Sequence, residues 1–390
     1  MKSLELFAGA GGLALGTEKA GFEHVAVIEW NSDACATLRR NRPSWDVVHA
    51  DVRKIQYNQW GTDLELVSGG PPCQPFSIGG RHKAWDDTRD MFPEAIRAVR
   101  EVRPKAFVFE NVRGLAREKF TTYREYIQLQ LTYPSLVRKP KEDWDSHLAR
   151  LEKHHTGTGG RRPEYKVIPP RVLNAADYGI PQKRERIFFV GFRSDINANW
   201  SFPTPTHSSE ALAYDKWVTG SYWESRGLRP TQEIPNKKVL ERIINNREQN
   251  VILKPWVTLR DSIRDLPDPR HPSATEFMNH VYQAGARPYP GHSGSVLDEP
   301  SKTLKAGDHG VPGGENMIAF PDGTYRYLTV RESARVQTFP DDIIFEGAWS
   351  EAMRQLGNAV PVDLASQVAS QVSTALINAN VIPLENRRCM

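Results

Sequence analysis

The chain has 390 residues and a mass of 44.1 kDa, and its 51 Lys and Arg against 47 Asp and Glu leave a formal charge of +4 and a pI near 8.8. That length exceeds one ordinary core and predicts two domains, one interrupting the other, while so balanced a charge permits a polyanionic partner without requiring one. Cys35, Cys73 and Cys389 have no paired spacing, which gives neither a disulfide framework nor a thiolate metal site; with no signal-peptide anatomy in MKSLELFAGAGG and no apolar run near the ~20 residues of a membrane span, a soluble cytoplasmic protein without metal is expected.

Residues 3–7, SLELF, read as a strand, AGAGGL as a glycine turn and ALGTEKAG as a helix closed by Gly21. Gly9, Gly11 and Ala14 fit the G-x-G-x-x-G/A spacing, in which missing side chains let a cofactor approach the backbone at a helix N-terminus. The next apolar run, HVAVIEW, carries Glu29 at the place expected of a carboxylate that accepts from ribose hydroxyls. Asn31 caps the helix SDACATLRRN, inside which Cys35 packs, and a third run, WDVVHAD, ends in Asp51. Asp51 has two readings that stand side by side: acceptor from an adenine amino group, or N-cap of VRKIQ. Three strand ends of this kind, in order, describe a doubly wound sheet that binds an adenosine-containing ligand along its carboxyl edge.

The fourth strand, DLELV, runs into SGGPPCQPFS, whose glycines and prolines stop it and present Cys73 on a loop. A thiol so placed is a candidate nucleophile, the alternative being a small apolar residue in a rigid turn. IGGRHKAWDDTRD reads as a loop whose Arg81, His82, Lys83 and Arg89 face phosphate or solvent. MFPEAIRAVREVRP is a helix, and AFVFENV a fifth strand carrying Glu110 at its end, where a carboxylate is costly without partners. Val137 to Arg171 is charged and punctuated by Pro and Gly and reads as an insertion, with His154 and His155 a solvated pair. YGIPQKRERIFFVGF is a turn and a strand whose start carries Gln182, Lys183, Arg184 and Arg186, suited to something planar or anionic. Residues 196 to about 326 lose the strand-helix alternation and read as an irregular second domain with one helix, NKKVLERIINNREQ. VPVDLASQVASQVSTALINAN is a closing amphipathic helix with Pro361 at its start.

In their order and spacing, FAGAGG, Glu29, Asp51, GGPPCQPFS, FENV, QKRER, RYLTVRESARVQTFPDD and QLGNAVP resemble the motifs of the DNA (cytosine-5) methyltransferases, in particular the bacterial modification enzymes. The resemblance runs from end to end. It implies an α/β fold: a Rossmann-like domain of residues 1–195 and 345–390, with a target-recognition domain and hinge, 196–344, inserted before the C-terminal helix. It also implies S-adenosyl-L-methionine in the glycine turn, leaving as S-adenosyl-L-homocysteine. Phe7 would lie against the adenine, Glu29 on the ribose and Asp51 near the adenine amino group, with Ala8, Gly9, Gly11, Gly12, Trp30, Val52, Pro71, Asn358 and Ala359 around the cofactor.

Carbon 5 of cytosine is a poor nucleophile until a group adds at carbon 6, and a thiolate suits that transient bond. The resemblance gives this role to Cys73, protonation at ring nitrogen 3 to Glu110, the base carbonyl oxygen to Arg186 and the steadying of Glu110 to Arg184. The base must leave the stack. Loop 78–90 would close behind it, with Ser77 and Arg89 on the DNA. Thr303 would lie near the DNA backbone, and Arg226, Arg229 and His309 are candidates for contacts to the target sequence. Double-stranded DNA is the implied partner of a monomeric enzyme, which would form the modification half of a restriction-modification system beside a cognate endonuclease. Rival readings are the tRNA-modifying branch of the family, a binding module with decayed machinery, and a nicotinamide oxidoreductase.

Overall fold

A computed structural model describes residues 1–72, 90–157, 162–230, 234–249, 253–290, 293–306 and 316–381. The chain folds as two compact units, the first formed by Met1–Leu173, Glu185–Pro203 and Ala365–Met390, the second by Asn174–Arg184 and Thr204–Leu364.

The strands of the first unit are β1 (Lys2–Leu6), β2 (Glu23–Glu29), β3 (Val47–His49), β4 (Leu66–Gly69), β5 (Ala106–Val112) and β6 (Tyr165–Asn174); after β7 (Gln182–Lys183), which pairs elsewhere, comes β8 (Glu185–Arg193). The sheet order is β3-β2-β1-β4-β5-β8-β6. β1 pairs in parallel with β2 and β4, β2 with β3, and β4 with β5, whereas β8 runs antiparallel to β5. Because side chains alternate along a strand, the register fixes what each face carries. Leu4, Leu6, Val67, Phe107, Phe109, Ile187 and Phe189 belong to one apolar cluster, into which Phe92, Ala95, Ile96, Val99, Ile127, Leu148 and Leu151 also pack. Full burial of each large apolar side chain there contributes roughly 1.5–3 kcal/mol. Ser3, Glu5, Ser68 and Glu110 alternate with those residues, so they stand on the opposite face.

The helices follow from local sequence. α1 (Gly12–Lys19) leaves the glycine turn, and α2 (Ser32–Asn41) starts where the Asn31 side chain accepts from Ala34 N at 2.8 Å. α3 (Phe92–Val102) has Pro in its first turn and buries Phe92, Ala95, Ile96, Val99 and Val102 at helical spacing. α4 (Thr121–Thr132) is followed by α5 (Trp144–Thr156).

The described residues of Val137 to Arg171, a stretch whose composition reads as an insertion, form packed elements. Asp143 caps α5 by accepting from Ser146 N at 2.7 Å, Leu148 and Leu151 are buried, and buried His147 bridges the Tyr126 hydroxyl (2.8 Å) and Leu136 O (2.7 Å). Pro169 and Pro170 lie in β6, an edge strand, the position in a sheet where proline is tolerated. His155 pairs with the Tyr133 hydroxyl at 3.0 Å, and the His154 ring meets the Tyr133 ring edge-on.

In the second unit Ser295–Val296, Met317–Ala319 and Tyr325–Tyr327 form a three-stranded sheet, His207–Ser208 pairs with Lys254–Pro255, β7 pairs with Ser301–Lys302, and helices and loops connect them. The motif RYLTVRESARVQTFPDD is a hub of this unit. Thr329 and Glu332 form a capping box, Arg326 pairs with Glu332 at 2.5 Å, and Arg331 donates to the carbonyls of Met278 and Ile343. The division of the chain differs from the expected one at three places: 196–203 belongs to the first unit, and 174–184 and 345–364 belong to the second, where hydrogen bonds from Gln182, Arg184 and Gln337 fasten them. Among the described residues no helix is long and apolar enough to cross a membrane, and no group of three or more His, Cys, Asp or Glu could hold a metal ion.

Candidate active site

The carboxyl ends of β1 and β2 build the first part of the site. After β1 the chain turns through Phe7 (φ 54°), Gly9 (φ 54°) and Gly11 (φ 88°), with Ala8 N donating to Ile28 O at 3.1 Å and Gly11 N to Ala8 O at 2.8 Å. A phenylalanine held in the left-handed region is uncommon and marks a turn whose shape matters. Glu29, 6% exposed, joins the turn to the end of β2: Oε2 accepts from Gly9 N at 2.7 Å and Oε1 from Asn31 N at 2.8 Å. Each oxygen keeps a further lone-pair direction for a hydroxyl donor. Ala8 and Gly12 are buried, space beside Gly9 is open, and Trp30 is 72% exposed, an unusually bare indole beside a polar turn. A nucleoside fits these residues, with the carboxylate for its ribose and the indole face for its base.

Asp51 takes the local role of an N-cap. Its carboxylate accepts from Arg53 N at 3.0 Å and is gripped by Arg53 Nε (3.0 Å) and Nη2 (2.5 Å), and these contacts hold its pKa down at about 2. Val52 beside it is buried, and Arg97 pins that turn by donating to Val52 O (2.8 Å) and Ile55 O (2.9 Å) while lying over the Tyr57 ring. Nothing local in the sequence marks Arg97, which reads there as one more charge on an amphipathic helix.

The second part of the site is set by β4, β5 and β8. Glu110 lies opposite Phe188, and Arg186 opposite Val112, so the antiparallel register makes Glu110 and Arg186 diagonal neighbours on one face. Arg186 Nε lies 2.7 Å from Glu110 Oε1, with the two side chains 11% and 8% exposed. Burial pulls the Arg186 pKa below its ordinary value, and the adjacent Glu110 opposes that shift. A Cβ on Gly70 would stand 3.2 Å from Glu110 Oε2, so the glycine leaves room for the carboxylate. Asn111, which stands in FENV without an assigned role, donates from Nδ2 to Pro71 O at 2.9 Å and accepts from Val112 N at 2.8 Å. Buried Pro71 is thereby fixed two residues before Cys73. Cys73, Ser77, Arg89 and His309 lie outside the described residues.

The two arginines of QKRER are divided otherwise than expected. Arg186 is the partner of Glu110, while Arg184, fully buried in the second unit, donates from Nη1 to Leu304 O (2.9 Å) and from Nη2 to Gly357 O (2.8 Å) and Ala359 O (2.7 Å). Thr303 donates its hydroxyl to Lys183 O at 2.6 Å, Asn358 is exposed at the end of the helix Trp349–Asn358, and Ala359 is buried. Arg226, expected at the target sequence, is committed inside its own unit: Nε and Nη2 grip Asp261 (2.8 and 2.9 Å), Nη1 donates to Tyr222 O (2.8 Å), and the guanidinium stacks on the Tyr222 ring. It has no free edge for a base. Arg229 is exposed.

Residues 1–132 and 161–374 match the model of the C-5 cytosine-specific DNA methylases. The chain belongs to this family. The methylase is 34% identical over 382 residues to the Type II methyltransferase M.Eco47II of Escherichia coli, covering 97% of this chain and 80% of that one. It is 34% identical over 388 residues to M.NgoMIV of Neisseria gonorrhoeae, covering 97% and 99%. Among solved structures it resembles the S. pombe Dnmt2 methyltransferase with a TM-score of 0.56 at 17% identity, over 98% of this chain and 100% of that one, a likeness of fold. The Rossmann-like α/β architecture and the family expected from the motifs are those found. The matched spans leave out residues 133–160, which carry α5.

Proposed function

We propose that this methylase transfers a methyl group from S-adenosyl-L-methionine to carbon 5 of a cytosine flipped out of a specific duplex DNA sequence, through a Cys73 adduct at carbon 6. The observation that carries the reading is the buried Glu110–Arg186 pair at the sheet end, beside a strand whose next residues lead to Cys73. Cys73 adds as thiolate to carbon 6, and the displaced electron pair moves toward carbon 5 while Glu110 protonates or hydrogen-bonds ring nitrogen 3. Arg186 orients Glu110 through Nε and donates from Nη1 to Glu185 O at 2.9 Å, which leaves Nη2 for the base carbonyl oxygen. The cofactor supplies an electrophilic methyl group on sulfonium sulfur. Once carbon 5 carries that methyl, its proton leaves to a base, the bond from Cys73 to carbon 6 breaks and ring nitrogen 3 gives its proton or hydrogen bond back to Glu110, restoring thiolate and aromatic ring. Glu29 holds the ribose, Phe7 and Trp30 flank the adenine, and Ala8, Gly9, Gly11, Gly12, Asp51, Val52, Pro71, Asn358 and Ala359 complete the contacts. The relatives named as Type II methyltransferases support a modification role beside a cognate endonuclease in the bacterial cytoplasm.

The test is methyl transfer assayed on duplex DNA and on tRNA, with base-resolved mapping of methylcytosine, followed by a duplex carrying 5-fluorocytosine at the mapped position. That base lacks the proton whose loss releases Cys73, so a cofactor-dependent covalent complex is expected with the wild type and none with Cys73→Ser. Methylation of tRNA alone would overturn the DNA reading, and a complex formed by Cys73→Ser would overturn the adduct.

A further inference from the structure

Residues 182–184 grip residues 301–304 at successive positions. Gln182 and Lys183 pair in parallel with Ser301 and Lys302; Gln182 Oε1 accepts from Leu304 N at 3.0 Å; Lys183 O accepts from Thr303 Oγ1 at 2.6 Å; Arg184 Nη1 donates to Leu304 O at 2.9 Å. The other end of the same guanidinium reaches a third segment, where Nη2 donates to Gly357 O (2.8 Å) and Ala359 O (2.7 Å), the carbonyls on either side of Asn358. Gln337 supports that loop by donating to Leu356 O at 2.6 Å. A Cβ on Gly357 would stand 2.3 Å from Ala306 N, so the second and third segments are in direct backbone contact. Arg184 is wholly buried, and burying a guanidinium is costly unless its donors are used. Here one planar fork spans three carbonyls, which the single ammonium of lysine does not reproduce.

We propose that Arg184 is a positioning residue which makes binding at Thr303 and binding at Asn358 interdependent. This coupling rests on the proposed function, in which duplex DNA meets Thr303 and the cofactor meets Asn358. Thr303 precedes the carbonyl held by Nη1, and Asn358 lies between the two held by Nη2. A ligand that draws one segment into place therefore orders the other through a shared rigid group, and thermodynamic linkage makes the effect reciprocal.

The experiment measures the dissociation constant of S-adenosyl-L-homocysteine for the full chain, alone and with saturating target duplex. The duplex is expected to tighten binding to the wild type about fivefold or more. With Arg184→Met and Arg184→Lys the factor falls to within about twofold of unity, and KM for DNA rises more than kcat falls. A role in stability alone would lower Tm and leave the coupling intact, which would overturn the proposal, as would a wild type without coupling. Should the Arg184 variants fail to fold, Gln337→Leu, which removes the support of Leu356 O, is to reduce the coupling partly; unchanged coupling there counts against the proposal. Failure of the underlying reading is distinguishable, because then the wild type transfers no methyl group to DNA at all.

Discussion

The charged residues that build the candidate site in the sheet-bearing unit stand at strand ends: Glu29 holds two backbone amides at the end of β2, and Glu110 faces Arg186 across β5 and β8. The second unit uses its charges as framework. Arg226 grips Asp261, Arg260 grips Asp298, Arg326 pairs with Glu332, and Arg335 reaches both Asp265 and Asp341. With few and short strands, this unit lacks the long ladders that hold the sheet, and bidentate side-chain networks take their place. An arginine in an irregular, glycine- and proline-rich stretch is thus as apt to be a strut as a reader of DNA. Arg226, which its loop-like surroundings mark as a reader, is a strut.

Four substitutions test how far this division of labour holds. Glu110→Gln keeps the shape of the carboxyl group and removes its acid function, so kcat is expected to fall about 10²–10⁴-fold with duplex binding retained; unchanged turnover in a single-turnover assay would make the Glu110–Arg186 pair a strut too. Glu29→Ala removes the acceptor of the Gly9 and Asn31 amides and of the proposed ribose contact, and is expected to weaken S-adenosyl-L-methionine by roughly 1.5–3 kcal/mol. Calorimetry that returns the wild-type affinity would reject the assignment. Arg226→Ala is expected to lower unfolding stability by about 1–3 kcal/mol, because Asp261 and the Tyr222 ring lose their partner, without altering the ratio of rates on target and near-target duplexes. A changed ratio with unchanged stability would restore the reader.

The fourth substitution concerns Glu5, on the same sheet face as Glu110. Ser68 donates its hydroxyl to Glu5 Oε2, Oε1 is buried with no hydrogen-bond partner among the described residues, and burial pushes the carboxyl pKa up from 4.5 to about 8. The folded state therefore keeps a proton that the unfolded state gives up. Stability from this group is full below pH 4.5 and falls as pH rises toward about 8, with no further loss above it, at a limiting slope of about 1.4 kcal/mol per pH unit. Glu5→Gln removes the titration. The Tm of the variant relative to wild type should rise between about pH 6 and pH 8, and parallel Tm curves would show that Glu5 is already ionised in the fold.

Much of the first unit is legible in the chain because its signals are local. A strand, a glycine turn and a helix with its cap are specified by neighbours within one turn, and Asn31, Gly9, Gly11 and the strand bearing Glu110 all stand where their local sequence puts them. Asp51 shows the same locality from the other side, since its contacts to Arg53 are one of the two readings the sequence leaves open.

Pairings between residues far apart in the chain come from the fold alone. The antiparallel insertion of β8 beside β5 turns the start of a late strand toward the carboxyl edge, and only that topology sets Arg186 beside Glu110. Nothing in their local sequence separates Arg184 from Arg186, two residues apart, and the division the resemblance implies is not the one found; the fold sends Arg186 to a carboxylate and Arg184 to carbonyls 120 to 175 positions away. The helix at 144–156 is hidden for a similar reason: its charged composition resembles a solvated insertion, and the packing of His147 on Tyr126 of α4 and of Leu148 and Leu151 in the apolar cluster supplies the stability that composition does not reveal.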